Sequence, residues 1–299
     1  MIIVTGTKRS GTSMWMQLLN AAGFPPIGDA FPRNWASTIK DANPGGFWES
    51  ELRQGIFYKT NPDPKTGVYL FPEQTQGHAV KVFIPGLIKT DRAFIGKVVA
   101  TVRPWRQYVR SLTRLYDMER QAQEASRTDP SKELPPPVFM TPIIEWWVEN
   151  FSLLSDIVTR RYPFYMVAYD AVLDSPEATV RDVFRWLGDG DVEAALKEVA
   201  PALRTQRAQS DDTVSVEAVG LAPQVIAVFD SLYELVLSQR PLEQSFVDRL
   251  NETNELMRDD IAAAVERVGQ ARAARRRFFE ARGRRSGETP RSEESAGGE

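Results

Sequence analysis

Ile2-Ile3-Val4-Thr5-Gly6-Thr7-Lys8-Arg9-Ser10-Gly11-Thr12-Ser13 decides how the rest of the chain is read. Ile2 to Thr5 is a short apolar run, as in a buried strand, and Gly6 to Gly11 reads as a tight loop. Thr12 to Ala22 places Met14, Leu18 and Leu19 on one side of a helix, with Gly23 as its stop. A strand, a glycine loop and a helix in that order predict the first unit of a parallel α/β sheet.

The spacing of Gly6 and Gly11 is that of a loop whose backbone amides wrap phosphate oxygens at a helix start. A nucleoside-triphosphate loop places lysine directly after the second glycine, where it reaches the terminal phosphates. Here that position is Thr12, and cations lie inside the loop, at Lys8 and Arg9. A loop cation followed by Ser10-Gly11-Thr12-Ser13 suits a shorter anion at the 5′ side of a nucleotide.

Working outward, Ala79 to Ile84 reads as a second strand closed by Pro85, and Lys97 to Thr101 as a third. Val102-Arg103-Pro104 follows, and Pro104 suits the first turn of a helix running through Tyr116 to about residue 124. Ser111 lies seven residues after Pro104, close to two turns or about 10.5 Å of rise, so it returns to the face on which the helix begins. Arg103 and Ser111 can therefore address one anion. Thr141 to Arg160 reads as a helix and Phe164 to Tyr169 as a strand; Ser175-Pro176 opens a helix that stops at Gly188. Residues 24–75, punctuated by Pro and Gly, read as wall-forming loops with short helices, and residues 125–139 as a surface loop. From about residue 218 to 283 the pattern is helical, and residues 286–299 lack large apolar side chains, the composition of a disordered tail.

The three segments together resemble the PAPS-dependent sulfotransferase family. Arg9-Ser10-Gly11-Thr12-Ser13 is similar to its 5′-phosphosulfate loop, and Arg103 with Ser111 to its 3′-phosphate motif. Tyr169-Asp170-Ala171-Val172-Leu173-Asp174-Ser175-Pro176, leading to Phe184, Leu187 and Gly188, resembles its strand-end segment, in which a tyrosine packs near the adenine. The resemblance covers roughly residues 1–190 and implies PAPS as co-substrate, no metal, and a hydroxyl or amine acceptor. It implies that Arg9 stabilises charge, as arginine cannot give up its proton, and that Lys81 neutralises the transferring group. Arg9, Ser10, Gly11, Thr12, Ser13, Arg103, Ser111 and Tyr169 are thus the expected donor contacts.

The resemblance breaks at the base. The family's catalytic histidine is Phe83 here, and the chain's only histidine, His78, stands three residues before Lys81, on the opposite side of a strand. Asn43-Pro44-Gly45-Gly46-Phe47-Trp48-Glu49 resembles a bacterial segment ending in a carboxylate, so Glu49, beside aromatics that would desolvate it, is favoured as base over His78 and Asp29.

At 299 residues, 42% apolar and 26% charged, the chain has the make-up of an ordinary folded protein. Net charge of -3 gives no general attraction to nucleic acid or anionic lipid, and zero cysteines exclude disulfides, thiolate metal sites and a cysteine nucleophile. Lys8 and Arg9 follow the first apolar run too soon for a secretory signal, and no stretch approaches a membrane span, so a cytoplasmic location is expected. Trp146-Trp147 read mainly as core and Arg275-Arg276-Arg277 as a solvated helix end.

The expected architecture is a P-loop-like three-layer α/β domain with a central parallel sheet over residues 1–204, a helical extension over 205–285 and the tail. The expected function is sulfuryl transfer from PAPS to a small-molecule, carbohydrate, lipid or peptide acceptor, with no nucleic-acid partner; the C-terminal helices offer a surface for a homodimer. The rivals are an ATP–Mg²⁺ kinase or NTPase, disfavoured by Thr12, and a non-catalytic nucleotide-binding protein, favoured by Phe83.

Overall fold

The computed structural model describes residues 1–32, 45–125, 137–204 and 220–286. The fold class is as the sequence predicts: a four-stranded, wholly parallel sheet covered by helices on both faces, with further helices at the C-terminal end. The strands are β1 (Ile2–Gly6), β2 (Ala79–Lys81), β3 (Lys97–Val102) and β4 (Phe164–Ala168), in the order β2-β1-β3-β4. The helices are α1 (Thr12–Ala21), α2 (Ile84–Lys89), α3 (Trp105–Ala125), α4 (Pro142–Arg160), α5 (Tyr169–Asp174), α6 (Pro176–Leu187), α7 (Val192–Arg204), α8 (Pro223–Leu237), α9 (Gln244–Leu256) and α10 (Arg258–Ser286).

Strand alternation sorts the sheet's side chains into two cores. Ile3, Val80, Val98 and Ala100 face the larger one, with Trp105, Tyr108, Trp146, Trp147 and Phe229. Ile2, Val4, Ala79 and Val99 face the smaller, against Trp15, Leu18 and Leu19 of α1 and Val183 of α6. Both tryptophans at 146 and 147 are fully buried, and Phe229 of α8 stacks on Trp147 with ring centres 4.9 Å apart. The C-terminal helices thus spend their apolar faces inside the same core as the sheet.

Three boundaries differ from the sequence reading. The second strand ends at Lys81, and Pro85 lies in the first turn of α2, where its missing N–H costs nothing, instead of closing a strand. Tyr169 starts the short helix α5 and does not end β4. Ser175 precedes α6 but makes no side-chain capping bond; Pro176 supplies the preset first turn, and Gly188 closes the helix at φ 71°. The tail and most of the surface loop at 125–139 lie outside the described residues.

The strand order places the site. β2 lies on one side of β1 and β3 on the other, so the carboxyl ends of β1 and β3 are the switch point at which an open parallel sheet of this order offers a ligand site. Gly6 pairs with Thr101, which brings the loop after β1 alongside the residues after β3.

Candidate functional site

The loop after β1 is held from below. Ser10 is 2% exposed; its hydroxyl donates to the Thr7 carbonyl at 2.6 Å and meets the Thr101 hydroxyl at 2.7 Å. The Ser10 hydroxyl is therefore turned into the protein and ties the loop to β3. Gly6 is needed for the same approach: with φ 151°, a Cβ there would lie 2.2 Å from the Thr101 hydroxyl. Arg9 and Gly11 take left-handed backbone conformations (φ 63° and 95°), the kind from which anion-cradling loops are built, while the Ser10 N–H between them donates to the Thr7 carbonyl at 3.3 Å. Gly11 caps α1 without a side chain, so the first amides of the helix, around Thr12 and Ser13, keep their N–H groups for an anion. The Arg9 side chain is exposed at the rim.

Arg103 lies directly against this loop. Its Nη1 donates to the Arg9 carbonyl at 3.1 Å and its Nε to Gln107 Oε1 at 3.3 Å. Gln107 is in turn held by Asp170 at 3.1 Å, whose backbone N–H donates to the Tyr233 hydroxyl. The guanidinium lies over the Tyr169 ring, 4.4 Å from its centre, and Trp146 Nε1 donates to the Arg103 carbonyl at 2.9 Å. Burial holds the Arg103 guanidinium below its ordinary value, Tyr169 opposing and Arg9 adding to the shift. Arginine carries five N–H donors, so those not used by Arg9 and Gln107 remain for an anion. Tyr169 is itself 4% exposed, with one face under Arg103 and its edge 3.7 Å from where a Gly11 Cβ would sit. It is placed as the platform of Arg103, with little surface left for a base. Ser111 is partly buried two turns along α3.

A second arm reaches the loop from β2. Lys81, paired in register with Val4, donates to Ser13 Oγ at 3.2 Å and to Glu49 Oε1 at 2.5 Å. Glu49 is carried by a two-residue antiparallel bridge to Asp29 and followed by a 3₁₀ turn, Glu51–Gln54, capped by Ser50. That turn brings Arg53 Nη1 within 3.7 Å of Glu49 Oε2, an atom that is buried and makes no hydrogen bond. Glu49 is 6% exposed and flanked by two cations, Lys81 and Arg53. Asn43 and Pro44 of its segment lie outside the described residues. Phe83, where the resemblance expects histidine, has its ring centre 5.9 Å from the Lys81 ammonium. His78 precedes β2, at the opposite end of the sheet from the loop, where its Nδ1 lies 3.1 Å from the Gln76 carbonyl. Asp29 is exposed and contributes its backbone to the bridge.

Sequence reading missed a third arm. Lys8 pairs with Glu145 Oε1 at 3.4 Å, and Tyr116 donates to Glu145 Oε2 at 2.6 Å. One turn further along α4, burial and then the Glu145 charge push Glu149 up to about 8, against the pull of Lys8. The only signal in the sequence was the four-residue spacing of two carboxylates among the apolar residues of the helix's first half.

No family model matches the chain, and no curated protein matches it. Among solved structures it is similar to a sulfotransferase from Mycobacterium tuberculosis H37Rv, with 17% identity over 79% of this chain and 76% of that one, at a TM-score of 0.37. It is also similar to the sulfotransferase domain of the Synechococcus PCC 7002 olefin synthase, with 13% identity over 86% and 94% of the two chains, at a TM-score of 0.36. Likenesses of this size carry no argument about chemistry. That rests on the three arms described above.

Proposed function

We propose that this protein transfers a sulfuryl group from PAPS to a hydroxyl or amine. The observation that carries the proposal is the meeting of Arg9, Arg103 and Lys81 around one glycine loop at the sheet's carboxyl edge. An adenosine 3′,5′-bisphosphate skeleton presents two anions, and the site offers two cationic walls. The loop amides and Arg9 fit the 5′ phosphosulfate, and the remaining donors of Arg103, with Ser111, fit the 3′-phosphate. Thr12, not lysine, follows the second glycine, which disfavours a triphosphate.

The donor would supply the sulfuryl group on its 5′-phosphate; the protein supplies charge, position and a proton acceptor. Arg9 offsets negative charge growing on the leaving phosphate oxygen. Lys81, anchored on Ser13 and Glu49, neutralises the group in transfer. Glu49 Oε1 is held by Lys81, and Oε2, which makes no hydrogen bond, lies buried 3.7 Å from Arg53, so the acceptor passes its proton to Glu49 by displacing one of these cations. Tyr169 acts through Arg103, fixing the plane of its guanidinium.

The test is thermal-shift titration with adenosine 3′,5′-bisphosphate, ATP–Mg²⁺ and GTP–Mg²⁺, followed by labelled sulfate transfer from PAPS to a panel of alcohols and amines. A ligand held only by the folded chain stabilises it by about 2.7 kcal/mol at a hundred times its Kd. Stabilisation by the bisphosphate without metal is expected. Stabilisation by ATP–Mg²⁺ alone would overturn the reading in favour of a kinase or NTPase, and bisphosphate binding without any transfer would favour a non-catalytic binding protein.

A further inference from the structure

Lys8 stands next to Arg9 in the loop, yet its ammonium is not left to wander. It lies 3.4 Å from Glu145 Oε1, 3.5 Å from the Tyr116 hydroxyl and 5.6 Å from the centre of the Tyr116 ring. The Tyr116 hydroxyl closes the triangle by donating to Glu145 Oε2 at 2.6 Å, and its ring is stacked on Phe139 with centres 3.9 Å apart. Burial and the Glu145 charge keep the Tyr116 phenol well above its ordinary value, so it stays a donor. Glu145 is 8% exposed, whereas the Lys8 side chain is 28% exposed and can be reached from solvent.

By charge alone this arrangement is the wrong way round. A carboxylate beside an anion-binding loop weakens the loop's field. What it can contribute is geometry. A lysine on a flexible four-carbon stem loses about 2 kcal/mol of rotamer freedom when a ligand immobilises it. Glu145, by an ion pair, and Tyr116, by a hydrogen bond, hold the ammonium in advance, and its three N–H donors are more than these two partners need.

We infer that Lys8 is a second anion-binding cation of the loop, and that Glu145, bridged by Tyr116, is the positioning residue that aims it at the donor's phosphosulfate. The inference rests on the bisphosphate reading given above, and goes beyond the resemblance, which assigns the loop's charge to Arg9.

The experiment is calorimetric titration of adenosine 3′,5′-bisphosphate into the full chain, its Lys8→Met and Glu145→Gln variants and the double variant. Lys8→Met should weaken binding about tenfold, and Glu145→Gln about fivefold, shrinking to less than about twofold in the Lys8→Met background because Glu145 acts through Lys8. Tyr116→Phe removes the bridge without changing charge; it should behave as Glu145→Gln does, and decides the matter if that variant fails to fold. Tighter binding by Glu145→Gln, as loss of a negative charge alone would give, overturns the inference. So does a loss of equal size with and without Lys8, which marks a merely structural role. Should Lys8→Met bind as the parent does while Arg103→Ala is impaired, this inference falls and the bisphosphate reading stands. Absence of bisphosphate binding by the parent removes both.

Discussion

Replacing Arg103 by alanine deletes the side chain on which the two-anion reading turns, and the structure sets the size of the effect. The guanidinium makes a 3.1 Å bond to the Arg9 carbonyl, a longer 3.3 Å bond to Gln107, and a stack on Tyr169 at 4.4 Å. Charge-assisted hydrogen bonds contribute about 1.5–3 kcal/mol each and a partly desolvated stack about 1 kcal/mol. Against these stands the cost of burying the charge, expressed in the downward pull on its ionisation, so a net stability loss of about 2 kcal/mol is expected. Binding should suffer more, because a charged contact to phosphate is worth about 2–4 kcal/mol, or roughly 30- to 1000-fold in Kd. The assay is calorimetry with two ligands, adenosine 3′,5′-bisphosphate and adenosine 5′-monophosphate, on protein whose fold is checked by circular dichroism. The parent should favour the bisphosphate strongly, and the variant should bind the two about equally. Arg103→Lys keeps the charge but loses the fork, and should recover only part of the preference. A folded Arg103→Ala protein that still discriminates between the two ligands would refute the reasoning.

Three further outcomes follow from the geometry. Glu49→Gln leaves Lys81 and Arg53 buried beside a neutral partner, so a loss of about 3 kcal/mol in chemical denaturation is expected, together with a fall in sulfuryl transfer of at least about a hundredfold and little change in bisphosphate affinity; unchanged turnover would remove Glu49 as proton acceptor. Gly6→Ala forces a Cβ to within 2.2 Å of the Thr101 hydroxyl at a φ of 151°, and should destabilise by more than about 3 kcal/mol; a parent-like melting temperature would contradict the described loop. Glu149, at about 8 folded against 4.5 in the open chain, makes the folded state bind more protons between those values, so its contribution to stability falls as pH rises through that window. Glu149→Gln should therefore be more stable than the parent at pH 9, by on the order of 4 kcal/mol, and nearly equal to it near pH 4.5; equal melting curves at both pH values would show that Glu149 is not held protonated.

What the sequence determined by itself was local. The run from Ile2 to Ser13 announces strand, loop and helix because adjacent residues alone set those conformations: a continuous apolar run, glycine at positive φ, a helix start. Arg103 could be placed at a strand end, and Gly188 at a helix end, for the same reason. Periodicity says which face a residue takes but not what stands opposite it, and that is where tertiary structure decided. Ser10, legible as a ligand contact, is turned inward because the register of β1 with β3 puts Thr101 beneath it. Pro85 starts a helix because β2 is only three residues long. His78 is remote because parallel strands share a direction, and it precedes its strand while the loop follows its own. Glu49 meets Lys81, and Lys8 meets Glu145, through contacts between segments far apart in the chain. No local pattern encodes such pairs; they exist because the sheet order brings separate segments to one edge, where burial makes each charge require a partner.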